Sequence, residues 1–439
     1  MSFRGRLGAL EEAQFRLLWL GQTTSALGDS LIFVALPFAV LQVGGGAAGL
    51  GLVLAAFTLS RAIFIVVGGV WSDRLPRRLV MIACDLIRGA VDVFTAIALL
   101  TGAMEPWMFV VTASIFGAAT AFFAPASTGL VPHTISEGRL QQANALLGLS
   151  RSATSIFGPA LSGLLVALTD PGWVYALDAG SFVISAGFLL ALRLPRIEPP
   201  ARQRFLADLG DGFREAWSRV WLRAGFMASG VANVGIGVFS VLGPLIAEEK
   251  LGGAAAYGVI LTGGAIGGVF GGLIALRSTP RHPVPFCLVA WSLSSLPSLA
   301  LLPPLPALAI SAANGLFVGG IAFGNAVWET LLQREIPIER LSRVTAFDWM
   351  VSLIFMPLGQ ALAGPLADAV GVEPVLVAAA LLVLVPCYGL LVLPAVRHGP
   401  TLGAGEVPTG ASASSRPSPG PASGSAGESP VPAPPDPLP

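Results

Sequence analysis

Residues 158–163 read Gly158-Pro159-Ala160-Leu161-Ser162-Gly163, and residues 359–364 read Gly359-Gln360-Ala361-Leu362-Ala363-Gly364. Each stretch follows an Arg-Leu pair, Arg139-Leu140 in the first case and Arg340-Leu341 in the second, and the two align without a gap. A second ungapped match sets Ala47-Ala48 and Gly51 against Ala254-Ala255 and Gly258. The chain therefore carries a weak internal repeat that runs in the same direction in both halves.

The composition says what kind of elements repeat. Of 439 residues, 54% are hydrophobic and 11% charged, where a soluble domain carries roughly a quarter charged residues. Mean hydropathy is +0.77. Water cannot cover such a chain, so lipid must be its solvent. A spanning helix needs about 20 mostly apolar residues, and such runs fall near 15–43, 49–71, 79–101, 106–130, 141–168 and 173–193, then near 221–247, 255–277, 283–302, 306–333, 342–368 and 373–394. The run from Phe15 to Val43 is too long for the roughly 7–15 apolar residues of a signal peptide and reads as a first transmembrane helix. The expected class is an all-α polytopic membrane protein of twelve helices in two pseudo-symmetric six-helix bundles. Residues 1–193 form the first bundle, 194–220 a charged linker, 221–397 the second bundle and 398–439 a Pro/Ser/Gly/Ala-rich tail expected to be disordered. Within the linker, Asp208 to Val220 is an expected surface helix with Leu209, Phe213 and Trp217 on one face.

Basic residues fix the orientation. Loops of one parity hold Arg74, Arg77 and Arg78, then Arg139, then the linker arginines, then Arg277 and Arg281, then Arg334, Arg340 and Arg343. The opposite loops hold essentially Lys250, the chain's single lysine. Both termini and the linker are expected on the cytoplasmic side of the plasma membrane. The net charge of zero argues against a nucleic-acid partner. Cys84, Cys287 and Cys387 sit in or beside apolar runs with no metal or disulfide spacing and read as small core residues.

The loop after the second helix reads Gly69-Val70-Trp71-Ser72-Asp73-Arg74-Leu75-Pro76-Arg77-Arg78. It resembles the G-x-x-x-D-R-x-G-R-R loop of the major facilitator superfamily, with Pro76 where that pattern has Gly. Phe122-Phe123-Ala124-Pro125-Ala126, Val131-Pro132 and the run from Gly158 to Gly163 resemble the efflux branch that includes macrolide and enterobactin exporters. The resemblance covers roughly residues 10–395. It implies two parallel six-helix halves and a cytoplasmic latch of Gly69, Asp73, Arg74, Arg77, Arg78 and Asp85. There Asp73 faces the N-terminus of the eleventh helix, where free N–H groups favour an anion, and the arginines pair with Asp85. Gly158, Pro159 and Gly163 correspond to the antiporter motif of drug exporters. A mid-helix Pro permits a kink and a Gly permits close packing. The plainer alternatives are that the arginines only set topology and the glycines only pack.

Ionisable residues at membrane depth are costly and point to function. Asp29 lies mid-helix 1, Arg61 mid-helix 2, Asp85, Arg88 and Asp92 on one face of helix 3, Arg151 on helix 5, Asp178 on helix 6 and Glu329 near the inner end of helix 10. The expectation is a network of Asp29 and Asp92 against Arg61, Arg88 and Arg151. Asp29 is first and Asp92 second as the carboxylate that takes up a proton when its partner moves away. The alternative is a permanently paired, silent network. Phe33, Phe122, Trp349 and Phe355 are candidate substrate contacts, although aromatic residues in membrane helices more often face lipid or core.

These readings favour secondary export of amphipathic small molecules by proton antiport, without cofactor or metal, by a monomer in the bilayer. A dedicated exporter of one endogenous product, such as a siderophore, is the alternative. A basic cavity using Arg61, Arg88 and Arg151 would favour it. An enzyme would need a constellation that is missing: there is no H-E-x-x-H, no G-x-S-x-G and no P-loop, and His133, His282 and His398 all lie near helix ends. A non-transporting receptor or assembly partner would have no need of the latch.

Overall fold

The computed structural model describes residues 8–72, 75–194, 217, 219–303, 305–397 and 399–400, with side chains left undescribed at 66–72 and at ten positions between 338 and 353. Most of the expected surface helix at 208–220 and almost all of the tail lie outside these residues.

The described chain is helical throughout its length. The first half holds α1 (Ala13–Gln42), α2 (Gly46–Ser72), α3 (Arg77–Leu100), α4 (Pro106–Leu130), α5 (Leu140–Leu168) and α6 (Pro171–Ala191). The second holds α7 (Val220–Ile246), α8 (Ala254–Ala275), α9 (Pro283–Ala300), α10 (Ala307–Glu335), α11 (Ile338–Val370) and α12 (Val372–Leu390). Ten of these are both long and apolar enough to cross a membrane. The other two are α3, which carries five charged residues, and α11, whose apolar part is Ile354–Val370. The helix bounds lie within a few residues of those expected from the apolar runs. Two elements depart from a plain helix. α7 runs on into a π-helical turn over Ala247–Leu251. α9 breaks at a 3₁₀ turn over Leu293–Ser295, where Ser292, Ser294 and Ser295 each donate to a carbonyl three residues back and Pro297 follows without an N–H.

The repeat read from the sequence is a set of helix crossings. A methyl group on Gly51 of α2 would overlap the Gln360 carbonyl of α11, and one on Gly258 of α8 would meet the Pro159 carbonyl of α5 at 2.5 Å. Gly364 of α11 presses on Ala47-Ala48, and Gly163 of α5 on Ala254-Ala255. The two crossings, α2 on α11 and α5 on α8, are thus pseudo-symmetric equivalents made by the matched residues. Within each half the same pattern holds: Gly158 lies against Ser30 of α1, and Gly359 against the Val234 backbone of α7. Small residues let membrane helices approach this closely.

The apolar cores follow from these crossings. At the arginine-poor end one core spans both halves, joining Val40, Leu50 and Val53 to Val241, Leu242, Ile260 and Ala363. Phe38 and Tyr257 add a ring contact across the halves with centroids 6.0 Å apart. At the arginine-rich end each half has its own core: Phe15, Met81, Leu130 and Leu192 in one, Leu222, Leu288, Trp328 and Leu331 in the other. The halves are therefore joined at one end and packed separately at the other. Cys84, Cys287 and Cys387 are free and buried.

Candidate functional site

Asp85, Arg88 and Asp92 follow one another on α3 at spacings of three and four residues, which puts them on one stripe. That stripe faces the interior of the first half, where all three are at most 1% exposed. Arg88 is the hub. Its Nη2 donates to Asp85 Oδ1 at 2.6 Å and its Nη1 to Asp29 Oδ2 of α1 at 3.3 Å. Ser185 of α6 donates its hydroxyl to the other Asp85 oxygen at 2.7 Å. The guanidinium lies over the rings of Phe182 and Phe123, 4.2 and 4.5 Å from their centroids. A planar, delocalised cation suits such a place: it forks to two carboxylates and stacks on aromatic faces at once.

Asp29 differs from Asp85 in being one-third exposed. It lines two cavities. One, of ≈ 330 Å³, is walled by Phe33, Phe57, Phe116, Arg61, Asp92 and Tyr175 among others. The second, of ≈ 440 Å³, adds Ser25, Phe123, Ser127, Arg151 and Pro159. Asp29 and Phe33 belong to both walls. Most of the first wall is apolar, with a few polar groups such as Asp29, Arg61 and Asp92 set into it, which is the usual make-up of a small-molecule site.

The arrangement departs from the expected network in three ways. Asp92 faces a carboxylate, not a guanidinium: Asp178 of α6 stands within hydrogen-bonding reach of it. Arg61 and Arg151 sit on the cavity walls and form no ion pair with a described carboxylate. Asp85 is held by Arg88, not by Arg77 or Arg78. Those two arginines instead finish helix ends, Arg77 donating to the Gly129 carbonyl of α4 and Arg78 to Leu189 and Leu190 of α6. The last carbonyls of a helix have no partner of their own and carry partial negative charge, so a cation is well placed there. Asp73 and Arg74 lie outside the described residues, and Gly69 is described only as part of the α2 backbone.

Among the aromatic candidates, Phe33 is exposed to both cavities. Phe122 packs on the Phe64 ring, Phe355 lies against Gly230, and the Trp349 side chain is not described. Gly158 and Gly163 serve the crossings above, and the Pro159 ring reaches the second cavity. Asp178 was the residue left out of the expected network. Its signal was available, since it is the only charged residue of α6. Tyr175 and Ser185 carry no comparable signal.

Among the described residues the second half has no ionic counterpart at its centre. There Trp328 meets Trp221, Phe226 and Trp291 edge-on and donates to Asp348 at 3.2 Å. A cavity of ≈ 210 Å³ next to it is lined by Asn233, Asn325 and Glu329. Among the described residues no three His, Cys, Asp or Glu side chains converge as metal ligands.

Comparison with known proteins agrees with this architecture. The profile of the Major Facilitator Superfamily matches residues 18–354, most of the chain, and the protein belongs to that family of membrane transporters. Among curated relatives, the chain is 28% identical to the multidrug efflux pump Tap of Mycolicibacterium fortuitum, over 87% of this chain and 96% of that protein. It is 24% identical to macrolide efflux protein A of Streptococcus pyogenes, over 82% and 91%. Among solved structures, the nucleoside transporter NupG superposes with a TM-score of 0.69 at 16% identity, covering 86% of this chain and 98% of that one. A bacterial homologue of the human lysosomal transporter Spinster, in an inward-facing and unoccupied conformation, gives 0.65 at 16% identity, over 90% and 98%.

Proposed function

We propose that this transporter exports amphipathic, drug-like molecules in exchange for protons, by alternating access between its two halves. The observation that carries the reading is the position of Asp29. One carboxylate lies on the wall of both cavities and is also an ion-pair partner of buried Arg88. A molecule that enters either cavity competes with Arg88 for Asp29, and so does a proton. Binding of the one therefore opposes binding of the other, which is the thermodynamic requirement of antiport. The names of the relatives, multidrug and macrolide efflux proteins, support export as the direction.

In this reading the arginine-poor end faces outward, both termini are cytoplasmic, and the structure is the inward-facing state, with the shared core closing the outer end. The protein works as a monomer in the plasma membrane, with the proton gradient as its energy source and no cofactor. A second reading, export of one anionic product, draws on Arg61 and Arg151, which face the cavities. Arg88 does not contribute to it, because its guanidinium is enclosed by two carboxylates and two rings.

The test is substrate-driven proton movement in proteoliposomes. Internal pH is followed while lipophilic cationic dyes, macrolides and siderophores are added one at a time, with wild type beside Asp29→Asn. Dissipation of an imposed pH gradient by a dye or macrolide through wild type, and its loss in Asp29→Asn, is the expected result. Transport without proton movement would end the antiport reading, and movement of siderophores alone would favour the dedicated exporter.

A further inference from the structure

The ion pair of Asp29 with Arg88 is not the only acidic feature of the first half. Asp92 of α3 and Asp178 of α6 are 1% and 0% exposed, and their carboxyl groups lie within hydrogen-bonding reach of each other. One oxygen of each, Oδ2 in both residues, is buried with no donor. The remaining contacts are few: Ser181 donates to Asp178 Oδ1 at 3.0 Å, and Gly28 of α1 presses so closely that a methyl group there would overlap that oxygen.

The charged and titratable groups around the pair come from every neighbouring helix. α1 supplies Asp29, α2 Arg61 across the cavity, α3 Asp85 and Arg88, α5 Arg151 in the other cavity, and α6 Tyr175. α4 brings only uncharged Phe116, Thr112 and Thr120. Arg88 already has Asp29 and Asp85 as ion-pair partners. Two carboxylates this close, out of water and with no cation of their own, cannot both be charged. A hydrogen bond between two carboxyl groups needs a proton on one of them.

We propose that Asp92 and Asp178 form a proton-binding site, one proton shared between two carboxyl groups, separate from the Asp29–Arg88 ion pair. Its role rests on the antiport reading above, whereas its existence rests on the geometry alone. Asp92 lines the same cavity as Asp29, so the proton has a way out: the O–H bond on the pair breaks and the proton passes to water in that cavity. Arg88 makes the release depend on substrate. When a substrate draws Asp29 away, the freed side of the guanidinium stabilises a second negative charge on the pair. When Asp29 returns, that cation is withdrawn and the pair takes its proton back.

Two measurements on the full chain test this. The first is the infrared carboxyl C=O stretch of purified protein at neutral pH, which reports protonated carboxyl groups whether or not anything is transported. Wild type is expected to show a band that disappears in the double variant Asp92→Asn/Asp178→Asn. A band unchanged in the double variant, or absent from wild type, overturns the site. The second is accumulation of tetraphenylphosphonium and of erythromycin in proteoliposomes. Asp178→Asn is expected to keep probe exchange without a gradient, which shows that it is folded, and to lose all pH-driven accumulation. If Asp178→Asn accumulates probe like wild type while Asp29→Asn does not, the pair is silent and the inference fails, although antiport stands. If wild type itself ignores the pH gradient, the antiport reading fails and the infrared band alone decides whether the site exists. If a sodium gradient drives accumulation in its place and the band is missing, the pair is a cation site and the proton assignment is wrong.

Discussion

Arg88 shows how much a single residue holds in place here. It ties α1 to α3 through Asp29, stays on its own helix through Asp85, and reaches α4 and α6 through Phe123 and Phe182. Removing one partner of a buried ion pair leaves uncompensated charge and costs about 3–5 kcal/mol. Arg88→Met is therefore expected to lower stability by about that much, read as a drop in thermal unfolding temperature in detergent. Arg88→Lys should recover only part of the loss, since an ammonium group neither forks to two carboxylates nor stacks as a plane. If Arg88→Lys matched wild type, the forked geometry would be irrelevant to stability. At this scale the sequence was informative in part. Every residue of the charge centre could be flagged from one rule, that ionisable groups at membrane depth are costly. Their pairing could not, because helical spacing tells which residues of α3 share a stripe but not which neighbour that stripe meets. Asp92 was assigned an arginine partner and has Asp178.

The helix crossings are where sequence and structure meet most closely. Gly51, Gly258 and Gly364 stood out in the sequence only as weak repeat matches and Gly163 also as part of the antiporter-like run, and all four lie at the contacts that join the halves. Replacing them with bulky residues should act on that joint. Overpacking costs about 1–3 kcal/mol per site, so Gly51→Leu/Gly258→Leu should push the equilibrium away from the state described here. With spin labels at Thr169 and Glu249, on opposite halves near the arginine-poor end, the expected result is a longer inter-label distance in the double variant. An unchanged distribution would show that these crossings do not control closure. The break in α9 illustrates what the apolar runs could not show. Residues 283–302 have the length and hydropathy of a helix throughout, and the 3₁₀ turn arises from local competition by serine hydroxyls and Pro297.

At the scale of the whole molecule, two features of the cores define the state. One apolar core is shared by both halves at the arginine-poor end, and two separate cores stand at the arginine-rich end. On the proposed alternating-access reading one end closes as the other opens, and the two equivalent crossings of the parallel repeat are where the halves would rock. Much of the architecture was readable: the apolar runs and the direction of the repeat followed from hydropathy and spacing, whereas the linker expected at 194–220 lies almost wholly outside the described residues. The sequence did not carry the state, since the open and closed packings use the same residues. The asymmetry between the halves was visible earlier, in the concentration of buried charge before residue 194. In the structure this becomes an ionic centre in the first half and the Trp328 cluster in the second.

On the proposed antiport reading that asymmetry puts coupling in the first half, and proton release on substrate binding tests it most directly. Purified protein in weakly buffered detergent solution is mixed with erythromycin or tetraphenylphosphonium while a pH dye is followed. Wild type is expected to release protons as the probe binds, and Asp29→Asn to bind the probe with no release. Binding by wild type without any release, or equal release from Asp29→Asn, would contradict that coupling.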